Sequence, residues 1–466
     1  MTNEHSTSKP EALLHFEADK IFFSEFFCDD IEKNEFIFLK KDFNAYMIDA
    51  KDEFLNPQDP NVDKSKMLET YQYALSTIGN LENIEKFKMN LQKVDNQGRI
   101  FINVDGESDY YNLLRKIAIP KKSYLSILKL KNEEKILYYF RLIMKNPYEP
   151  RNFENFDRNK IFFGAPGTGK SFKLNEEKEK LIYSERDYER VTFHPDYSYA
   201  QFVGSYRPVP DEEDGKKTIS YEYVAGPFMR ILSKAIENSR SSYPRPFLLV
   251  IEEINRANMA AVFGDVFQLL DRDKEDNSQY PINLSKEMKD YLEKIHYDLD
   301  YIKIPYNMFI WATMNSADQG VFPMDTAFKR RWDFEYIDIN NEETKIKDIS
   351  FRVKDEDINW NNLRKSINNF LLKNNINEDK LLGPFFVSNI QEFKNDSSKD
   401  FKETFKSKVL MYLFEDAAKS IKYTVFDSIP KEKLSYSHIC TKFESKGIDI
   451  FNKEIKDFYK KLNNNE

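Results

Sequence analysis

The chain has 466 residues, 41% hydrophobic and 32% charged, which suits two or three globular domains and excludes a disordered or low-complexity protein. Its 78 acidic against 70 basic side chains give a net charge of −8, which argues against a nucleic-acid coat over the whole surface and leaves room for a local basic groove. Two distant cysteines (Cys28, Cys440) and five histidines without ligand spacing exclude a disulfide framework and a structural zinc.

The polar residues 1–10 are expected to form a disordered tail, not a signal peptide. No apolar run approaches the roughly 18 residues of a membrane span, so a cytoplasmic protein with no membrane contact is expected. Residues 11–108 alternate short aromatic runs (Ile21-Phe-Phe23, Phe36-Ile-Phe-Leu39, Arg99-Ile-Phe-Ile-Asn103) with polar stretches, the pattern of a small α+β domain ending near Gly106. Residues 109–155 are rich in lysine and arginine, and their apolar residues suggest packed helices, a basic helical connector closed by Asn146-Pro-Tyr-Glu-Pro150. Residues 156–340 alternate apolar strands with helical stretches, as a parallel sheet flanked by helices does. Residues 341–466 read as mainly helical, for example across Phe405–Ala418.

Within the third segment, Gly164-Ala165-Pro166-Gly167-Thr168-Gly169-Lys170-Ser171 is a complete phosphate-binding loop. The glycines bring backbone N–H groups close to phosphate oxygens, Lys170 supplies charge for the β- and γ-phosphates, and Ser171 can ligate Mg²⁺. Its flanks fit, with a strand at 160–163 and a helix from Ser171 to Lys180. Phe247-Leu-Leu-Val-Ile-Glu-Glu253 is a buried strand ending in two acids. Glu252 can serve the metal, and Glu253 can orient or deprotonate a water. A third strand, Met308–Met314, ends in Asn315, a polar group able to hold that water. Arg330 and Arg331 follow; in a ring they can reach a neighbouring copy's γ-phosphate, and alone they can make surface ion pairs worth about 0–1 kcal/mol.

These motifs, in this order, resemble the AAA+ fold and specifically the McrB-like subunits of modification-dependent restriction systems. The resemblance covers about residues 156–425. It rests on the phosphate loop and on Phe193-His-Pro-Asp-Tyr-Ser-Tyr-Ala-Gln-Phe-Val-Gly-Ser-Tyr-Arg-Pro208. It rests also on Glu252-Glu-Ile-Asn-Arg-Ala-Asn258, Met314-Asn-Ser-Ala-Asp-Gln319, Asp325-Thr-Ala-Phe-Lys-Arg-Arg331 and, more weakly, Leu382-Gly-Pro-Phe-Phe386. It implies an AAA+ P-loop NTPase core, a helical C-terminal lid and a separate N-terminal α+β domain. Asn315 and Asp318 then resemble the residues that orient the hydrolytic water, and Arg330 and Arg331 the trans-acting arginines. Glu252 stands where the family has aspartate, and Gln319 where it has arginine.

The resemblance further implies a hexameric ring, GTP with ATP as the alternative, Mg²⁺, an McrC-like nuclease partner, and DNA recognition by the N-terminal domain. Asp49 and Lys51, after the run from Phe43, loosely resemble a metal-dependent nuclease triplet, but no partner acid precedes them, so cutting is expected of another polypeptide. Two classes follow: a hydrolysing motor, or an adaptor that binds nucleotide and scarcely hydrolyses it, as the departures at Glu252 and Gln319 would favour.

Overall fold

The computed structural model describes residues 15–16, 35–57, 62–94, 99–105, 108–119, 122–131, 136–145, 153–213, 216–241, 243–294, 299–315, 320–354, 356–387 and 398–464. The expectations for the tail at 1–10, for Ile21-Phe-Phe23, for a boundary at Gly106 and for the linker at 146–150 lie outside them. The chain divides into two compact units, residues 1–152 with 233–245, and residues 153–232 with 246–466.

In the first unit, β1 (His15–Phe16), β2 (Glu35–Leu39), β3 (Ile84–Val94), β4 (Arg99–Asp105), β5 (Ser123–Lys131) and β6 (Ile136–Met144) form one sheet in the order β1-β4-β3-β2-β6-β5. Only β2 and β6 run parallel. Helices Lys40–Leu55, Lys64–Asn80 and Asp109–Ile117 supply the other half of an aromatic core in which Phe36, Phe38, Phe43, Tyr46, Phe87, Tyr138 and Phe140 are buried. Asp63 and Ser108 start the second and third helices by accepting the backbone N–H of Ser65 at 3.0 Å and of Tyr111 at 3.0 Å.

One sequence expectation fails here, and one resemblance already set aside finds no support. Residues 123–131 and 136–144, read as packed helices of a connector, are strands β5 and β6 of this sheet. Their period is two: Tyr138, Phe140, Leu142 and Met144 are buried, and the residues between them are half-exposed. The apolar run had been ambiguous because Leu125, Ile127, Leu128 and Leu130 fit either period. Asp49 and Lys51 lie inside the helix Lys40–Leu55 and not at a strand end, so the nuclease arrangement has no support in the fold.

The second unit opens with β7 (Asn159–Phe163), followed by the phosphate loop, helix Lys170–Leu181 and β8 (Tyr188–Thr192). A hairpin of β9 (Gly204–Glu213) and β10 (Lys216–Ala225) leads to helix Pro227–Ser239, whose residues from Ser233 on belong to the first unit, and then β11 (Phe247–Glu252). After a small ladder of β12 (Ile282–Asn283) and β13 (Tyr301–Ile302) come β14 (Met308–Met314) and β15 (Asp333–Tyr336). The main sheet is parallel throughout, in the order β15-β7-β14-β11-β8. Its central strands β11 and β14 are near-continuous apolar runs because both their faces are packed, while the edge strands β8 and β15 carry polar residues. Phe162, Leu248, Val250, Phe309 and Trp311 share one core with Leu174 and Leu181 of the helix after the phosphate loop.

The C-terminal region is mainly helical, as expected, with one addition the sequence reading missed: a hairpin of β16 (Ser350–Val353) and β17 (Glu356–Asn359). Trp360, Phe351, Phe401, Phe405, Phe443 and Tyr459 fill its core, and 405–410 and 413–417 form wide π-type turns. The stretch from Leu382 to Phe386 turns back onto the phosphate loop. Gly383 N donates to Pro166 O at 2.9 Å and Phe385 N to Gly167 O at 2.8 Å.

Candidate functional site

In a parallel sheet the strand ends that carry ligands are the carboxyl ends. Here β7, β14 and β11 are neighbours, so the phosphate loop, Asn315 and the pair Glu252-Glu253 emerge side by side. The loop depends on its glycines. Gly167 and Gly169 have φ of 78° and 90°, and a Cβ on Gly167 would lie 2.4 Å from Phe386 N. Gly169 caps the helix Lys170–Leu181 in a left-handed conformation with no side-chain hydrogen bond. The first-turn N–H groups of a 12-residue helix are thus left for an anion, with the helix dipole behind them. Ala165, Pro166 and Thr168 complete the turn, Thr168 Oγ1 donating to Ala165 O at 2.9 Å. The Lys170 ammonium donates to Gly164 O and Ala165 O, both at 2.9 Å, which stations a buried positive charge on the loop itself.

Ser171 Oγ donates to Glu252 Oε2 at 3.1 Å, and the same oxygen accepts the Thr313 hydroxyl. Glu252 Oε1 pairs with Arg190 Nη1 at 3.0 Å. Two hard oxygen donors side by side at the phosphate loop fit a Mg²⁺ ion that takes its remaining ligands from phosphate and water. The serine and the longer acid therefore meet despite the exchange of aspartate for glutamate.

Glu253 sits in the left-handed region at φ 56°, uncommon for a side chain of its size, and its N–H is held by Thr313 Oγ1 at 3.2 Å. That turn swings its carboxylate off the strand toward Asn315, whose Nδ2 donates to Glu253 Oε1 at 2.6 Å. Arg256 Nε donates to the other oxygen at 3.1 Å, and Asn255 Nδ2 holds the Asn315 carbonyl at 2.7 Å. Asn315 Oδ1 is buried and accepts from no described residue. A carboxylate held in this way by a carboxamide can accept a proton from a water. Asp318 and Gln319 lie outside the described residues, so the expected partnership of Asp318 with Asn315 has no geometry to report.

The two arginines part company. Arg331 is 9% exposed at its side chain; its Nη2 pairs with Asp271 Oδ2 at 2.6 Å, its Nη1 donates to Ala327 O at 2.7 Å, and its guanidinium lies 4.1 Å from the Phe267 ring centre. Arg330 is exposed. A polar hollow of about 460 Å³ beside them is lined by Arg158, Arg272, Asp271 and Trp332 and by no residue of the phosphate loop. Burial pushes the Arg272 guanidinium down to about 9.

Sequence reading missed Arg190, Thr313 and Asn255. Thr313 and Asn255 lay inside quoted motifs, one residue from a strand end and two beyond Glu253. Arg190 had a weaker signal, a charge within a strand that turns out to be the sheet edge. The aromatic segment from Phe193 serves packing at its start: Phe193 N donates to Glu252 O at 3.0 Å, and its ring stacks on Tyr197 at 4.7 Å.

A five-stranded parallel sheet in this order, with a phosphate loop, an acid-ended neighbouring strand and a helical lid, defines a P-loop protein of the AAA class. Residues 159–332 match the AAA domain of the dynein-related subfamily. The chain is 44% identical over 286 residues to the type II restriction enzyme BsuMI component YdiS of Bacillus subtilis, spanning 56% of this chain and 80% of that protein. It is 32% identical over 186 residues to the type IV methyl-directed restriction enzyme EcoKMcrB subunit of Escherichia coli, spanning 39% of this chain and 35% of that one. The chain belongs to the McrB-like family of AAA+ restriction-system subunits. Such a domain is in general a nucleotide-hydrolysing one that uses nucleotide and, typically, Mg²⁺. No helix among the described residues is long and apolar enough to cross a membrane.

Proposed function

We propose that this chain is the Mg²⁺-dependent, nucleotide-hydrolysing motor of a McrBC-like restriction complex, with GTP as substrate and ATP as the alternative. The observation that carries this reading is the pair of linked contacts at three adjacent strand ends, Ser171–Glu252 and Glu253–Asn315. Backbone N–H groups of 164–171 cradle the phosphates, and Lys170 exchanges its two carbonyl partners for phosphate oxygens. Ser171 and Glu252 hold the metal ion, which neutralises charge on the phosphates when bound. Glu253 and Asn315 orient the attacking water, and Glu253 takes its proton. Asp318 assists Asn315.

Arg330, exposed at its helix end, reaches the γ-phosphate of a neighbouring copy in a hexameric ring. Arg331 holds that helix end through Asp271 and shapes the surface from which Arg330 projects. The N-terminal unit recognises DNA, and an McrC-like nuclease cuts it; the relatives named for restriction systems support both assignments. The hydrolysing reading is preferred over the adaptor because Glu252 keeps its contact with Ser171.

The test is phosphate release from GTP and from ATP with Mg²⁺ by the full chain. Lys170→Ala should abolish nucleotide binding. Glu253→Gln should keep binding and lose about 100-fold or more in turnover, the usual scale for a general base. Wild-type turnover in both variants would overturn the assignment.

A further inference from the structure

Glu252 has two carboxylate oxygens with different neighbours. Oε2 faces the hydroxyls of Ser171 and Thr313, and Oε1 faces Arg190. The register explains the second contact. Val250 of β11 lies beside Arg190 of β8, and Glu252 lies two residues further on, so both side chains rise from one face of the sheet. Arg190 spans that distance and is braced from the far side, where its Nη2 donates to Asn175 Oδ1 on the helix that follows the phosphate loop. The guanidinium is thereby held between the phosphate-loop helix and the metal-side acid, on a side chain that is 33% exposed.

We propose that Arg190 is a built-in counter-cation for Glu252 that sets how much Mg²⁺ the site requires. This rests on the reading of Ser171 and Glu252 as the metal side of a nucleotide site. Two effects of Arg190 oppose each other. Holding Oε1 orders the carboxylate, which favours a metal at Oε2 by the modest amount a side chain loses in ordering. The guanidinium also neutralises the acid and repels a divalent ion a few ångströms away. The second effect is the larger, since like charges a few ångströms apart at this partly buried pair repel through a medium less polarisable than bulk water. Arg190 therefore weakens the cation site, and the fixed positive charge keeps the acid compensated whenever the metal departs.

The experiment measures equilibrium binding of mant-GTP or mant-ATP, whichever the Glu253→Gln protein binds, during titration with Mg²⁺ and separately in EDTA. On that background Arg190→Gln should lower the half-saturating Mg²⁺ concentration about three- to tenfold. The effect should shrink as salt rises. In EDTA the same change should leave nucleotide affinity equal or weaker, because a positive charge has been removed near an anion. Arg190→Lys, which keeps the charge, should stay close to the parent value. Opposite signs in the two conditions cannot come from general damage to the fold. An unchanged or raised Mg²⁺ midpoint in Arg190→Gln overturns the inference while leaving the nucleotide site intact. Failure of the Glu253→Gln protein to bind either nucleotide overturns the site reading itself and the inference with it.

Discussion

In the parallel sheet, Leu248 to Ile251 of β11 and Met308 to Ala312 of β14 have no exposed surface at all. In the mixed sheet, β6 alternates buried Tyr138, Phe140 and Leu142 with half-exposed neighbours, and β5 leaves Tyr124, Leu128 and Leu130 between 43% and 50% exposed. The central strands β11 and β14 are packed on both faces and can offer polar groups only where they stop. That is where Glu252, Glu253, Thr313 and Asn315 stand, each held by a neighbour on the next strand. In the second sheet, β5 and β6 have one face committed to the core, and their other residues stay accessible along the length of the strands. Strand interiors are thus structural at the centre of the parallel sheet and half-available in β5 and β6 of the mixed one.

Leucines test this contrast most directly. Leu249→Ala, at a fully buried position of β11, should cost about 2–5 kcal/mol of stability, measured as the loss of hydrogen-exchange protection in the parallel sheet. A cost below about 1 kcal/mol would show that the parallel core repacks easily and would weaken the comparison. Next in size, Gly167→Val forces a β-branched residue into φ 78° and against Phe386, and should weaken nucleotide binding roughly 10- to 100-fold with the sheet still folded. Titration with a fluorescent nucleotide checks it. At the small end, Leu128→Ala on the exposed side of β5 should stay within about 0.5 kcal/mol of the parent. A large cost in thermal unfolding there would mean that the side chain is covered in the folded protein.

The same contrast explains what the sequence made legible. The phosphate loop, β7, β11, β14 and the helix after the loop were readable because fixed residue types and long apolar runs admit one geometry. Strands β5 and β6 were misread because leucine and isoleucine fit either period, and the alternation that decides the matter shows only in burial. The β16–β17 hairpin was missed because its two strands are four residues each. Glu253, Asn315 and the arginines could be named from motifs, yet nothing in the spacing of Arg330 and Arg331 tells that one is tied to Asp271 and the other exposed. Arg190 could not be found, since its meaning depends on register between strands some 60 residues apart.

The contact between the lid stretch and the phosphate loop runs through main-chain atoms: Gly383 N to Pro166 O and Phe385 N to Gly167 O. Arg364 anchors the base of this stretch, donating to Leu382 O at 3.1 Å and to Ile339 O at 3.0 Å. Mechanically, the lid grips the loop by its backbone. Exchanging the side chains of Phe385 or Phe386 removes neither hydrogen-bonding group, so alanine at those two positions would pass over the linkage, whereas a Cβ at Gly383 would lie 2.3 Å from Gly167 C. A load applied to the helical region is delivered to the phosphate cradle as a tug on peptide groups 166 and 167, whichever side chains evolution has hung there.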